Sequence, residues 1–163
     1  MPRIPFDELP PDARVWVFPA SRRLTEDEQR RVLAEADAFI DQWTAHGVPL
    51  SAAREVRHGQ FVCVGVNERA AGVSGCSVDA LVRRMGQLQP VLGVDLTDNA
   101  PVLFRNGAQI ERVSRERFAE LAAAGDVGLD TVVFDNTIQN VGDIRDGRWE
   151  VRAADAWHAR AFF

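Results

Sequence analysis

One short stretch of the sequence combines a reactive side chain with a predicted helix start. It runs from Val73 to Asp79, between an apolar strand-like segment and an amphipathic helix. Ser77 is a residue type that favours the N-cap, and Asp79 is predicted in the first turn, where a carboxylate complements the helix dipole. First-turn N–H groups lower the pKa of a nearby thiol, and the thiolate is the nucleophile. Cys76 is therefore the candidate catalytic residue of a thiol-dependent enzyme or redox sensor.

The same stretch has two other interpretations. Ser74, Gly75, Ser77 and Asp79 are candidate ligand-binding residues, since first-turn N–H groups also bind small anions. Gly75 lets the backbone approach a ligand closely or take a positive φ. In the second interpretation the stretch has only a structural role, as a tight strand-to-helix connection that carries a small, partly buried cysteine.

Trp43 and His46 form a second pair of candidate ligand-binding residues, at the end of an earlier predicted helix. Thr25 and Glu28 form a capping box at its start, and apolar residues follow at helical spacing. His46 and Gly47 supply a cation and a C-cap glycine. Trp43 and His46 frame a pocket in one interpretation. In the other, Trp43 packs in the core and His46 complements the helix dipole.

Composition excludes several kinds of chemistry. The net charge is −5 without a basic patch, which argues against nucleic acid as a partner. The sequence contains neither lysine nor tyrosine, so a P-loop lysine, a lysine Schiff base and tyrosine chemistry are impossible. Its three histidines, at positions 46, 58 and 158, lack ligand spacing. The sequence therefore predicts neither a metal nor a cofactor.

The two cysteines and the N-terminal residues predict a cytoplasmic protein with reduced thiols. Cys63 and Cys76 match neither a zinc pattern nor a C-x-x-C motif. The N-terminal residues are acidic and lack the apolar core of a signal peptide. No run approaches the ~20 apolar residues that a membrane span needs, so we expect no membrane partner.

Strand and helix patterns over residues 1–100 predict an α+β domain with the order β-α-β-β-α-β. Arg14–Phe18 and Phe61–Val66 are apolar on both faces, as central strands are, whereas Ala53–His58 is charged. With Pro101–Phe104 as the fourth strand, this matches the ferredoxin-like split βαβ antiparallel sheet. Two helices cover one face, and the C-terminal segment or a partner covers the other.

Residues 101–163 are predicted to form a small α/β appendage packed on that domain. Asn106-Gly107 is a hairpin signal, Ser114 can cap a short helix, and residues 143–147 resemble a turn. Two tryptophans and two phenylalanines follow: Trp149, Trp157, Phe162 and Phe163. We expect these aromatic side chains to close the protein's own core. The alternative is that they are exposed and form a docking surface for a partner.

The chain resembles a family of small uncharacterised bacterial proteins from about Arg14 to His158. The resemblance is carried by four segments: Ser74–Asp79, Trp43–Gly47, Thr131–Asn136 and Trp157-His158. Members of that family are often labelled "ABC transporter ATPase". This chain has no G-x-x-x-x-G-K-[ST] motif, so the sequence predicts that it is not an ATPase.

The C-terminal part is also similar to the second subfamily of GYF-type domains, which are small adaptors. The matching positions are Gly107, Val113-Ser114, Phe118, Leu121, Gly125, Thr131–Val133 and Trp149. Gln109-Ile110-Glu111 replaces the Gly-Pro-aromatic step of that pattern. The resemblance implies a non-enzymatic binding or adaptor module, whose partner is an unknown protein, a small ligand or a second copy of the chain. The thiol-dependent enzyme is the alternative.

Overall fold

The structure is a computed structural model that describes residues 3–42, 44–45, 48–49, 51–67 and 75–163, with side chains at 3–42, 51–67 and 78–163. The chain divides into two compact units. The first unit comprises Met1–Asp98 and Gln139–Gly142, and the second comprises Asn99–Ile138 and Asp143–Phe163. Both units combine helices with antiparallel strands, which confirms the α+β class.

The first unit contains a 3-10 helix (Phe6–Glu8), β1 (Arg14–Pro19), α1 (Glu26–Gln42), β2 (Thr44–Ala45), β3 (Val48–Pro49), β4 (Ser51–Arg57), β5 (Phe61–Asn67) and α2 (Gly75–Leu92). The second contains β6 (Val102–Asn106), β7 (Gln109–Val113), α3 (Arg115–Ala123), β8 (Val132–Phe134), β9 (Glu150–Arg152), a 3-10 helix (Ala153–Asp155) and α5 (His158–Phe162). The short helix α4 (Val141–Arg145) occupies most of a stretch that the sequence predicted as a turn.

The main sheet of the first unit has the strand order β1-β5-β4, with β5 antiparallel to both neighbours. This order agrees with three strands of the predicted split βαβ arrangement. The ferredoxin-like arrangement is not confirmed, because the predicted fourth strand, β6, belongs to a separate sheet. The Asn106-Gly107 hairpin pairs one edge of β6 with β7, and β8 pairs with its other edge. Neither edge of β6 is left for the first sheet.

One face of the main sheet packs against both long helices, as predicted. The shared hydrophobic core includes alternate residues of β5 together with apolar residues of α1 and α2: Val62, Val64, Val66, Val32, Ile40, Leu81 and Met85. Val82 of α2 directly follows the buried Leu81 but is itself 40% exposed, so it does not belong to this core.

The N-terminal segment packs against the other face of the sheet around Gly65. The sequence analysis assigned this face to the C-terminal segment or to a partner. Phe6 and Leu9 are instead buried there. A Cβ atom at Gly65 would lie 2.5 Å from Leu9 Cδ1 and 3.4 Å from Phe6 Cε2. Gly65 therefore lets this segment approach β5 closely.

The second unit is built on a four-stranded antiparallel sheet with the order β7-β6-β8-β9. The predicted hairpin is confirmed, with Gly107 at φ +62°. The predicted Ser114 cap is also confirmed, since its hydroxyl accepts a hydrogen bond from Arg117 N at 3.1 Å. Trp149 is buried in this unit as predicted, at 2% exposure, whereas the terminal Phe163 is 44% exposed.

Candidate functional site

The predicted thiol site falls at the start of α2, which begins at Gly75. Cys76 is the second residue of the helix, so its backbone lies in the first turn, whereas the prediction placed it just before the helix. Ser77 is the third helical residue and cannot be the N-cap. Asp79 is the fifth residue, exposed and beyond the first turn, so that prediction is also wrong. The helix therefore begins three residues before Val78, where an N-cap at Ser77 would have started it.

Not every part of this predicted site belongs to the described residues. Ser74 lies outside them, and the structure describes only the backbone of Gly75, Cys76 and Ser77. The reactivity of the Cys76 thiol therefore stays a prediction. The structure places its backbone at the start of a helix of 18 residues.

The predicted pair of Trp43 and His46 also lies outside the described residues. The helix that was expected to end at His46 and Gly47 ends instead at Gln42. The strands β2 and β3 follow and pair antiparallel, with Ala45 opposite Val48. The prediction that His46 and Gly47 end the helix is therefore wrong, since α1 ends before β2.

Cys63 can be excluded as a reactive group. It lies on the central strand β5 and is completely buried. Burial raises the pKa of its thiol to about 12, with Glu55 adding to the rise and Arg57 opposing it. The thiolate is therefore almost absent at neutral pH, and a thiol in such a position is inert.

The second unit contains a pocket of about 260 Å³ that the sequence did not reveal. It is lined by two aromatic rings, a proline ring, one guanidinium, an imidazole and several small polar side chains: Phe134, Trp157, Pro101, Arg115, His158, Asn99, Asn136 and Thr137. Arg115 is the first residue of α3, Phe134 ends β8, and Trp157 and His158 stand at the start of α5. Residues from three elements that are distant in sequence therefore line the same pocket.

Arg115 supplies the positive charge of this pocket. Its Nε donates a hydrogen bond to the carbonyl oxygen of Ala100 at 2.9 Å, and its guanidinium carbon lies 4.8 Å from the centre of the Trp157 ring. No carboxylate of the described residues forms an ion pair with it. Arg117, two positions further along α3, is instead paired with Glu120 at 3.0 Å. Arg115 is therefore oriented by a carbonyl and an aromatic ring while its charge remains unpaired within the described part of the chain.

His158 is buried beside this arginine, with 1% of its surface exposed. Its ring stacks on Trp157 with a centroid distance of 3.9 Å. Burial lowers the pKa of His158 to about 4; Asp135 opposes this shift and Arg115 adds to it. The imidazole is therefore neutral at pH 7. Its Nδ1 is buried and has no hydrogen-bond partner among the described residues.

The loop after β8 forms a fixed rim of the pocket. The Asp135 carboxylate accepts hydrogen bonds from the backbone N–H of Thr137, at 3.0 Å, and from its hydroxyl. The Asn136 side-chain oxygen accepts a hydrogen bond from Trp149 Nε1 at 2.9 Å. Because Trp149 is itself buried, this bond ties the rim to the interior of the unit.

Sequence reasoning missed this site because it assigned Trp157 to the core and gave Arg115 no role. One local signal was present. Arg115 directly follows the N-cap Ser114, and a cation at a helix N-terminus opposes the helix dipole. The unfavourable position of Arg115 could have indicated a binding site, together with the consecutive residues Trp157 and His158 later in the sequence.

The described part of the chain shows neither a metal cluster nor a membrane-spanning helix. Within the described residues, no group of three or more His, Cys, Asp or Glu side chains could hold a metal ion. None of the described helices combines the length and apolar character that crossing a membrane requires. Comparison with family models, with curated proteins and with solved structures gave no match for this chain. The resemblances noted from sequence motifs therefore stay expectations.

Proposed function

We propose that this protein is a non-enzymatic binding module whose ligand occupies the pocket of the second unit. The observation that carries the proposal is Arg115, which lines the pocket and stacks on Trp157 without an ion-pair partner among the described residues. Ligand sites typically combine apolar and aromatic walls with a few polar groups that fix orientation. The adaptor-like resemblance of the C-terminal part supports the same reading.

The side chains of the pocket are better suited to binding than to catalysis. A general base works best with a pKa near the operating pH, and the pKa of His158, at about 4, is far below neutrality. The Thr137 hydroxyl already donates to Asp135, so the lining histidine does not activate it as a nucleophile. Orientation of a ligand by hydrogen bonds and aromatic contact requires neither group to change its protonation state.

Nuclear magnetic resonance of the tryptophan indole N–H groups tests this proposal. A library of small compounds and short peptides is added to the labelled protein, and Trp157→Phe assigns the pocket signal. We expect ligands that shift the Trp157 signal saturably and leave that of Trp16, in the first unit, unchanged. If no member shifts Trp157, or if every hit shifts both signals equally, the pocket is not a binding site.

A thiol-dependent enzyme or redox sensor using Cys76 is the second candidate function. It is supported by the start of α2 at Gly75, which puts the Cys76 backbone in the first turn. Because Cys63 is completely buried, iodoacetamide labelling of the folded protein should report Cys76, and Cys76→Ser is the control. Half-maximal labelling well below pH ~8.5 supports this function. A half-point near that value, or no labelling, removes it.

The remaining sequence predictions complete the proposal. We expect a cytoplasmic protein that binds a small ligand or another protein, or that associates with itself, and that does not hydrolyse ATP. Light scattering at high concentration tests self-association, and a strict monomer would contradict it. A saturable, magnesium-dependent rise in melting temperature with ATP would contradict the prediction on ATP.

A further inference from the structure

We infer that the pocket of the second unit recognises an organic monocarboxylate, with its carboxylate on Arg115 and its apolar part against Trp157 and Phe134. This inference rests on the proposed binding function and specifies the chemistry of the ligand. It is drawn from the charge of the pocket, from the way Arg115 is held and from an unsatisfied nitrogen on His158.

The charge of the pocket favours a ligand with a single negative charge. Arg115 is the only arginine among the lining residues, and the chain has no lysine. His158 is neutral at pH 7, since burial lowers its pKa to about 4. The remaining lining groups are amides, a hydroxyl and apolar rings. One guanidinium balances one carboxylate, whereas a phosphate dianion would leave a charge unmatched.

The way in which Arg115 is held suits the recognition of a planar anion. A guanidinium presents N–H groups in a planar fork that matches two carboxylate oxygens. The Nε of Arg115 is already bound to the Ala100 carbonyl, and the described residues provide no acceptor for its two terminal nitrogens. Contact with the Trp157 ring limits the motion of the group, so that less entropy is lost when a ligand binds.

His158 provides the second, independent observation. A buried polar atom without a hydrogen-bond partner is rare in proteins and indicates an unfilled interaction. The Nδ1 of His158 is such an atom, and His158 lines the pocket beside the aromatic wall. In the tautomer that carries its proton on Nδ1, the neutral ring donates a hydrogen bond to a carboxylate oxygen. The carboxylate of Asp135, which acts on the pKa of His158, accepts a hydrogen bond from Thr137 N and does not line the pocket.

The apolar lining determines what accompanies the carboxylate. Phe134 is buried and Trp157 is half-buried, so both rings present partly desolvated surface to a ligand. Pro101 adds a third apolar ring. A pocket of about 260 Å³ holds a group the size of a benzene ring together with a carboxylate. Two sources offer this chemistry: a free aromatic or aliphatic acid, and the C-terminal carboxylate of a peptide with an apolar last residue.

The test uses pairs of probes that differ only in charge. Benzoate is compared with benzamide, N-acetyl-phenylalanine with its amide, and inorganic phosphate is added separately. The affinity is read from the Trp157 indole signal of the full-length protein. We expect both acids to bind at least about tenfold more tightly than their amides, since hydrogen bonds to charged groups are strong. Tighter binding of benzoate assigns the free acid, and tighter binding of N-acetyl-phenylalanine assigns the peptide terminus.

Two arginines of α3 provide matched variants. Arg115→Gln should weaken binding of the acids about tenfold or more and leave binding of the amides unchanged. Arg115→Lys keeps the charge but loses the fork, so we expect an intermediate affinity. Arg117→Gln, at an exposed position on the same helix that pairs with Glu120, should leave the affinity unchanged.

Several results would overturn the inference and still leave the proposed function standing. These are equal affinity for acid and amide, tighter binding of phosphate than of either acid, and unchanged affinity in Arg115→Gln. If none of these probes shifts the Trp157 signal, the inference is also wrong. The library experiment then decides the proposed function separately, since it includes neutral and cationic ligands.

Discussion

The two units bury a titratable side chain to the same extent but in different surroundings. Cys63 in the first unit is 0% exposed, and His158 in the second is 1% exposed. Burial favours the neutral form of both, raising the pKa of Cys63 to about 12 and lowering that of His158 to about 4. Cys63 stands on a strand paired along both edges, whereas His158 lines a pocket. Equal burial therefore leaves one group inert and the other within reach of a ligand.

The difference follows from how completely each sheet is covered. Every residue from Phe61 to Val66 in β5 is buried, with helices on one face and Phe6 and Leu9 near Gly65 on the other. The second unit has strands of only three to five residues and a core centred on aromatic rings around Phe118. The pocket beside Trp157 lies in this second unit, next to the rings of Phe134 and His158.

Trp149→Ala should have the largest effect of the predictions made here, because it removes a buried ring of the second unit. Trp149 is 2% exposed, packs on Phe134 at a centroid distance of 5.1 Å and donates to Asn136. Loss of a buried large aromatic side chain costs about 3–5 kcal/mol. Denaturant unfolding should show this loss as a lower free energy of unfolding. A variant that melts within a degree or two of wild type would contradict the burial of Trp149.

His158 should make the second unit less stable in mild acid. Its folded-state pKa of about 4 is below the ordinary value of 6.5, so the unfolded chain binds more protons between these values. The free energy of unfolding therefore has its full value above pH 6.5, where the ring is neutral in both states, and it decreases as the pH falls toward 4. The loss is on the order of 3 kcal/mol. Unfolding free energies measured from pH 7 to pH 4 give this dependence.

His158→Leu is the control for that dependence, since it removes the titrating ring and retains apolar volume. The difference between wild type and variant isolates His158 from the carboxylates that also titrate in acid. We expect the variant to lose less stability than wild type between pH 6.5 and pH 4. Parallel curves for the two proteins would show that His158 titrates at its ordinary pKa and that burial does not hold it neutral.

Gly65→Ala tests the tight coverage of the first sheet. The added Cβ would lie 2.5 Å from Leu9 Cδ1, and Leu9 is only 2% exposed, so it cannot move away freely. Overpacking of this kind costs about 1–3 kcal/mol. Gly86→Ala in α2 is the matched control, since no atom beyond its chain neighbours and its own helix backbone lies within 4 Å of the added Cβ. We expect a gain of up to about 1 kcal/mol there. Equal effects at both glycines would contradict the close approach of Leu9.

Features that depend on neighbouring residues were predictable from the sequence. The Asn106-Gly107 turn, the Ser114 cap and the Thr25 capping box each involve residues within four positions of one another, and all three are confirmed. Residue types at fixed local spacing determine such features, because the backbone groups they satisfy are a few residues away. Most of the elements could be found in this way.

Pairings between distant residues were only partly predictable: the order β1-β5-β4 agrees with the prediction, but the sheet of β6 does not. The sheet that β6 joins depends on competition between its hairpin partner and strands far away in sequence, and the wrong partner was chosen. The contact of Arg115 with Trp157 joins two helices across more than 40 positions, and no periodicity encodes it. The candidate site was therefore found only from the structure, although the types of residue that build it were visible in the sequence.

Thr25→Ala should have the smallest effect and concerns the surface of the well-packed first unit. The Thr25 hydroxyl accepts from Glu28 N at 3.2 Å, and the Glu28 carboxylate accepts from Thr25 N at 2.9 Å and from Arg22 at 2.8 Å. Replacement of an N-cap threonine by alanine costs about 1 kcal/mol, and Thr25→Ser should restore most of it. The hydrogen bond from Arg22 is the main reason that the pKa of Glu28 is lowered to about 2, so the carboxylate stays charged in both variants at pH 7. Chemical denaturation at pH 7 therefore measures the loss of the Thr25 hydroxyl alone. If Thr25→Ala lost as much stability as Trp149→Ala, the contrast between a surface cap and a buried core residue would be wrong.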